Sequence, residues 1–177
     1  MTTTLKDNLQ DVTQFYQDVA SDATLPAVSF VRPFESMAGH PANSNTAKYE
    51  GFVMDLIARV QANPEVWGKT AILITTDEGG GYYDSGYIQT LDFFGDGTRI
   101  PLIAVSPFAK PGHVSSVVYD HTSILATIEH KWNLPALTRR DAAANPLTDF
   151  IDLSKPPLFK TPAPLPRPAI WPFTGVK

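Results

Sequence analysis

Apolar positions recur at two spacings along this chain, and their alternation predicts helices and strands in turn. Leu5, Leu9, Val12, Tyr16 and Val19 stand at helical spacing, which predicts an amphipathic helix from about Thr4 to Ala20. Ser21, Asp22 and the Leu25-Pro26 pair end it. Ala27-Val28-Ser29-Phe30-Val31 is a run rich in β-formers, stopped by Arg32-Pro33, and predicts a short strand. After a polar loop through Gly39-His40-Pro41, Asn45 or Ser44 is placed to cap a second helix. Its stripe is Tyr49, Phe52, Val53, Leu56, Ile57 and Val60, and Asn63-Pro64 closes it. Thr70 to Thr76 reads as a strand, and Ile100 to Pro107 as another. Pro101 belongs at a strand start or an edge, because proline gives the ladder no donor. His113–Tyr119 is a candidate short strand. A further helix runs from about His121 through Ile124, Leu125, Ile128 and Trp132, and Arg139–Asn145 has room for a turn or two more.

Strands separated by helices imply parallel pairing through crossovers, so the expected class is α/β, a mostly parallel sheet flanked by helices. Residues 1–154 are expected to form that domain. Residues 155–177 are expected to be an extended tail, since seven of the sixteen prolines fall in residues 156–172. Trp171 and Phe173 give the tail anchors for docking. Residues 79–98 form a long glycine- and aromatic-rich connection, and loops of that length in compact domains are often functional.

Composition narrows the function. With 177 residues, 43% of them hydrophobic, the chain is long and apolar enough for a substantial core. A net charge of −4 gives no electrostatic ground for a nucleic-acid partner. No run of 18 apolar residues exists, so no transmembrane segment is expected. The stretch from Met1 to Asp7 lacks a basic region followed by an apolar one, so no signal peptide is expected there, and the compartment stays open. The absence of cysteine excludes disulfides, thiolate nucleophiles and cysteine-based zinc sites.

Candidate chemistry gathers where the strand from Thr70 runs into Asp77-Glu78-Gly79-Gly80-Gly81. Ligands of open α/β sheets collect outside the carboxyl ends of the strands, and glycines there permit tight turns. Two hard carboxylates at that point suit a divalent cation; the plain alternative is an acidic, solvated loop start. His40, between Gly39 and Pro41, is fit to ligate a metal, to donate to an anion or simply to hold its turn. Asp120-His121 opens a helix, where Asp120 or Thr122 serves as a cap and the helix terminus favours an anion. His130 reads as a surface residue, and Arg99 is placed either to clamp an anion or to pair with a loop carboxylate, the pairing being the favoured reading. No G-x-S-x-G elbow, P-loop or dinucleotide fingerprint is present.

In series, Leu25-Pro26-Ala27-Val28-Ser29, His40-Pro41, Trp67-Gly68-Lys69-Thr70 and Asp77-Glu78-Gly79-Gly80-Gly81-Tyr82-Tyr83-Asp84 resemble the bacterial phosphoesterase family. So do Gly97-Thr98-Arg99-Ile100-Pro101, Val105-Ser106-Pro107-Phe108 and Tyr119-Asp120-His121-Thr122-Ser123-Ile124-Leu125. That family holds phosphatidylcholine-type phospholipases C and acid phosphatases of the alkaline phosphatase superfamily. The resemblance covers roughly residues 15–152 and implies the C-terminal half of an α/β/α sandwich. It implies metal-assisted hydrolysis of phosphoesters, including phospholipids, with Asp77 and Glu78 as ligands of a divalent metal ion. His40 and His121 would ligate the metal or stabilise phosphoryl oxygens.

Two departures stand out. The acidic-Asn-His metal motif and the Ser or Thr nucleophile of the family's N-terminal half have no equivalent here, and Ser85 stands where relatives often carry histidine. The chain is therefore expected to supply one wall of a site, with self-association or a partner chain covering what is missing. A non-catalytic binding module and a carboxylic ester hydrolase using Ser36 or Ser123 are the alternatives.

Overall fold

The computed structural model describes residues 5–21, 23–84, 86, 88–90 and 93–158. The described chain divides into two units, one running through Ile72 with Gly80–Tyr82, the other comprising Leu73–Gly79 and Tyr83–Leu158.

In the first unit, helix α1 covers Val12–Asp18, α2 covers Thr46–Ala62 and α3 covers Pro64–Trp67. Helix α2 is the element whose pattern was most complete. Asn45 caps it by accepting from the Lys48 amide at 3.0 Å, and Phe52, Leu56 and Val60 of the expected stripe are buried. Asn63 ends α2 and begins α3 at once, its side chain accepting from the Glu65 and Val66 amides ahead of Pro64 at the first helical position. Val66 and Trp67 of this short helix are buried, a turn that the breaker Asn63-Pro64 had concealed.

Two expectations fail in this unit. The helix placed over about Thr4 to Ala20 is broken: a 3-10 turn spans Leu5–Asn8 and α1 starts only after Asp11. Asp11 takes the Thr13 amide at 2.8 Å and acts as a cap inside the stripe, leaving Leu9 exposed (Thr4 lies outside the described residues). Ala27–Val31 is not a strand. A strand draws its hydrogen bonds from a neighbour, and no described segment pairs with this one, so Phe30 stands 76% exposed.

In the second unit, strand β1 (Ile72–Thr75, which begins one residue earlier) pairs with β2 (Leu102–Val105). This pair is the sheet of the described residues, and it runs antiparallel, so the expectation of a mostly parallel sheet flanked by helices is overturned. The cause is the connection. Parallel neighbours need a crossover, usually helical, whereas no helix lies between β1 and β2 among the described residues. The chain reverses instead, and the Thr75 hydroxyl at the end of β1 donates to the Pro101 carbonyl just before β2 at 2.8 Å.

Helices α4 (His121–Trp132) and α5 (Arg139–Ala143) form as expected. Helix α4 packs on the 3-10 turn Leu147–Phe150, where Leu147 is only 2% exposed and its amide donates to the Thr127 hydroxyl at 2.8 Å. His113–Tyr119 forms no strand: Val114 and Val118 are exposed, and the Val117 amide turns back to the Ser115 hydroxyl. His113 instead meets Asp149 at 2.8 Å, beside Lys110. Of the expected tail, residues 159–177 lie outside the described residues. Among the described residues no helix is long and apolar enough to cross a membrane.

Candidate functional site

The acidic turn follows β1 directly. Thr76 is half-buried, while Asp77 and Glu78 are exposed beyond it. At Gly79 a Cβ would meet the Thr98 hydroxyl, which would have to turn away to admit it. Gly80 and Gly81 follow with φ of +64° and +75°, a region that side chains disfavour. The carboxylates thus lie just past the end of β1 and precede a turn that only small residues make easily.

His121 reaches this turn from α4. Its Nε2 lies 2.9 Å from the carbonyl oxygen of Thr76, the residue before Asp77. A carbonyl only accepts, so Nε2 carries the proton and donates, and in the neutral ring Nδ1 is the lone-pair nitrogen. The imidazole is held by the same backbone that presents the carboxylates. Its own position rests on the start of α4. Asp120 caps that helix, its Oδ1 accepting from the Thr122 amide at 2.7 Å, while the Asp120 amide donates to the Ser123 hydroxyl at 3.1 Å. Capping was one of the two readings open for Asp120, and it holds alongside the placement of His121.

That cap settles Ser123, which is 1% exposed with its hydroxyl committed to the Asp120 amide. It is not a free nucleophile. His40 lies in the first unit, where its Nδ1 accepts from the Ala42 amide at 3.2 Å and so closes the turn after Gly39. Within that unit a Cβ on Gly80 would sit 3.5 Å from the Pro41 ring. His130 is exposed, as its position on α4 implied. Among the described residues no group of three or more His, Asp or Glu side chains converges to hold a metal ion. Asp77 and Glu78 offer the right donor atoms but not a full set, and Ser85 lies outside the described residues.

The loop beyond the turn is tied at its base. Asp84 accepts from Arg99 Nε at 2.9 Å and the Arg99 amide at 2.7 Å, and from the Gly86 amide at 2.8 Å. The Arg99 guanidinium, bonded to Asp84, holds its carboxyl well below the usual carboxylate range, with the two amides adding to the effect. This is the pairing expected of Arg99. Asp96 and Arg140 were not singled out from the sequence; they meet at 3.2 Å, and Arg140 Nε also lies 3.6 Å from Asp120. The alternating signs gave no clue, because residues 44 positions apart meet only through the fold. The cleft of about 750 Å³ beside α1 and α2, lined by Tyr16, Val19, Arg59 and Asn63, lies elsewhere. Its Arg59 is already paired to Asp55 and stacked on Tyr16.

Two carboxylates just past the end of β1 and an imidazole held to the Thr76 carbonyl before them are thus what the described residues bring together here. The chain belongs to the phosphoesterase family, whose sequence model matches residues 2–135. It is 34% identical to the non-hemolytic phospholipase C of Burkholderia pseudomallei, over 84% of this chain and 25% of that protein. It is 32% identical to the hemolytic phospholipase C of Pseudomonas aeruginosa, over 70% of this chain and 20% of that one. With the non-specific phospholipase C6 of Arabidopsis thaliana it shares 29% identity over 96% of this chain and 38% of the relative. The chain therefore spans a fifth to two fifths of the length of these relatives.

Proposed function

We propose that this chain contributes the acidic turn and an imidazole to a site that hydrolyses phosphoesters, phospholipids being the substrate class that the relatives' names suggest. The observation that carries the reading is the His121–Thr76 hydrogen bond, which ties the ring to the strand end that bears Asp77 and Glu78. In this role Asp77 and Glu78 are ligands to a divalent cation, and the lone pair of His121 Nδ1 serves the cation or takes a proton during transfer. A cation bound there would neutralise charge on the phosphoryl oxygens, the effect expected to dominate phosphoryl transfer. Among the described residues two carboxylates do not complete a stable metal site. In this reading a companion segment supplies the remaining ligands and the nucleophile.

The test is hydrolysis of a chromogenic phosphodiester, a phosphomonoester and a carboxylic ester, each with and without chelator. Phosphate-ester turnover that chelator stops and Asp77→Ala abolishes is the expected result. Turnover of the carboxylic ester alone, indifferent to chelator, would overturn it. The incomplete ligand set favours one second reading, a non-catalytic module of the family, which silence on all three substrates would support. Exposed Phe30, Phe93, Phe94 and Leu137 also lead us to expect association in sedimentation, with a monodisperse monomer as the contrary result.

A further inference from the structure

Two carboxylates from distant parts of the chain meet one guanidinium beside the candidate site. Arg140, the second residue of α5, places Nη2 3.2 Å from Asp96 Oδ1 and Nε 3.6 Å from Asp120 Oδ2. Asp96 belongs to the end of the long loop, where its amide donates to the Gln89 carbonyl at 2.8 Å. Asp120 divides its two oxygens: Oδ1 takes the Thr122 amide and hydroxyl at the start of α4, and Oδ2 faces Arg140. The next residue is His121, whose bond to the Thr76 carbonyl fixes the ring. Arg140 is itself held in place, because Thr138 caps α5 with Asp141, which is 2% exposed.

We infer that Arg140 is a positioning residue for His121, acting through Asp120. Remove the guanidinium, and Asp96 and Asp120 are left as two partly buried carboxylates with their shared cation gone. Like charges left without their cation repel, by an amount that solvent screening reduces because Arg140 is a third exposed and its Nε faces Asp120 without a hydrogen bond. The displacement falls on the Asp120 carboxylate, and with it on the first turn of α4. A ring at the first position of a helix cannot keep a 2.9 Å bond to a separate strand if that turn shifts by about an ångström. Asp120 alone suffices to cap the helix; Arg140 sets where the capped end stands. The consequence for catalysis rests on the phosphoester reading above, but the geometry does not.

The experiment follows the ring directly. Full-length protein labelled with ¹⁵N in its histidines is compared by long-range proton–nitrogen correlation without substrate, with His121→Gln identifying the signal. The wild-type His121 should show the pattern of a ring protonated at Nε2. In Arg140→Gln that pattern should collapse to the averaged one of a free imidazole while His113, paired to Asp149, keeps its own. Arg140→Lys should restore it in part, since lysine keeps the charge but not the two-sided fork. Asp96→Asn should shift it less. If turnover is present, Arg140→Gln should lower kcat about 10-fold with KM unchanged, the usual size for a group acting through another. An unaltered His121 pattern in Arg140→Gln would overturn the inference. So would loss of all the histidine patterns together in Arg140→Gln with Asp96→Asn unchanged, which would make Arg140 a folding residue only. The expected His121 response in Arg140→Gln, in a protein that turns over only the carboxylic ester and is indifferent to chelator, would leave this inference standing and sink the phosphoester reading instead.

Discussion

The two imidazoles of interest are built in opposite ways. His121 opens a twelve-residue helix and gives its Nε2 proton to a backbone carbonyl 45 residues away in sequence. His40 sits in a turn and uses Nδ1 to accept from an amide two residues on. The first bond reports tertiary structure, because it exists only if β1, α4 and the capped end of α4 are all in place. The second is local and would form in a peptide. A histidine used for chemistry at a strand end must be oriented by the fold, so the contrast puts the larger functional weight on His121.

Substitutions at the strand end should have the largest effect. Asp77→Ala would remove a proposed metal ligand and should lower chelator-sensitive phosphodiester turnover by about 100-fold or more. His121→Gln should cost about 100-fold, whereas His40→Gln should cost no more than about 10-fold if its work is holding the turn. Steady-state assays of the three variants rank them, and a His40 loss equal to that of His121 would break the contrast. The seat beneath His121 gives the next effect. Leu147→Ala opens a cavity under α4 and should destabilise the second unit by about 2–5 kcal/mol in a urea titration. A change below about 1 kcal/mol would mean that α4 is anchored elsewhere.

What could be read from the sequence follows the same division between local and tertiary. Helix α2 was legible to its cap because a helix closes its own hydrogen bonds and shows its buried stripe at fixed spacing. The acidic turn was legible because carboxylates and glycines follow a run of β-formers. Residues 27–31 carry an equally apolar pattern, yet a strand depends on a neighbour that the pattern does not name, and the described chain provides none. The sheet direction failed for a related reason. Alternating helices and strands suggested crossovers, but the long loop after Gly79 carries the chain back without a helix among its described residues. Around the acidic turn, Asp77, Glu78 and His121 were singled out as candidates by type and place, while Thr76 and Arg140 were not. A carbonyl has no sequence signature, and an arginine that joins Asp96 to Asp120 looks like any surface charge until the fold is known.

The smallest expected effect is a proton's worth, at the cap that carries Arg140. The Thr138 hydroxyl bonds the Asp141 carboxylate and, with the amides of Thr138 and Leu137, holds it at about 2 against the opposing push of burial. The folded value lies below the unfolded one, so the charged form favours the fold. That contribution is complete above about pH 4 and is lost as pH falls toward 2. Glu129, raised by burial and by its bond to Asp141, acts with the opposite sign and at higher pH; Asp152 is also held at about 2, so the comparison with Asp141→Asn isolates the share of Asp141. An acid titration followed through the amides of α5 should therefore show these residues loosening between about pH 4 and 2, with the His121 ring signal following through Arg140. In Asp141→Asn the α5 amides should be loosened already at neutral pH and nearly flat across that window. Loosening of the turn around His40 over the same range in wild type, but not in Asp141→Asn, would show that the two imidazoles share one anchor after all. A response confined to α5 and His121 is what a tertiary seat for one ring and a local seat for the other require.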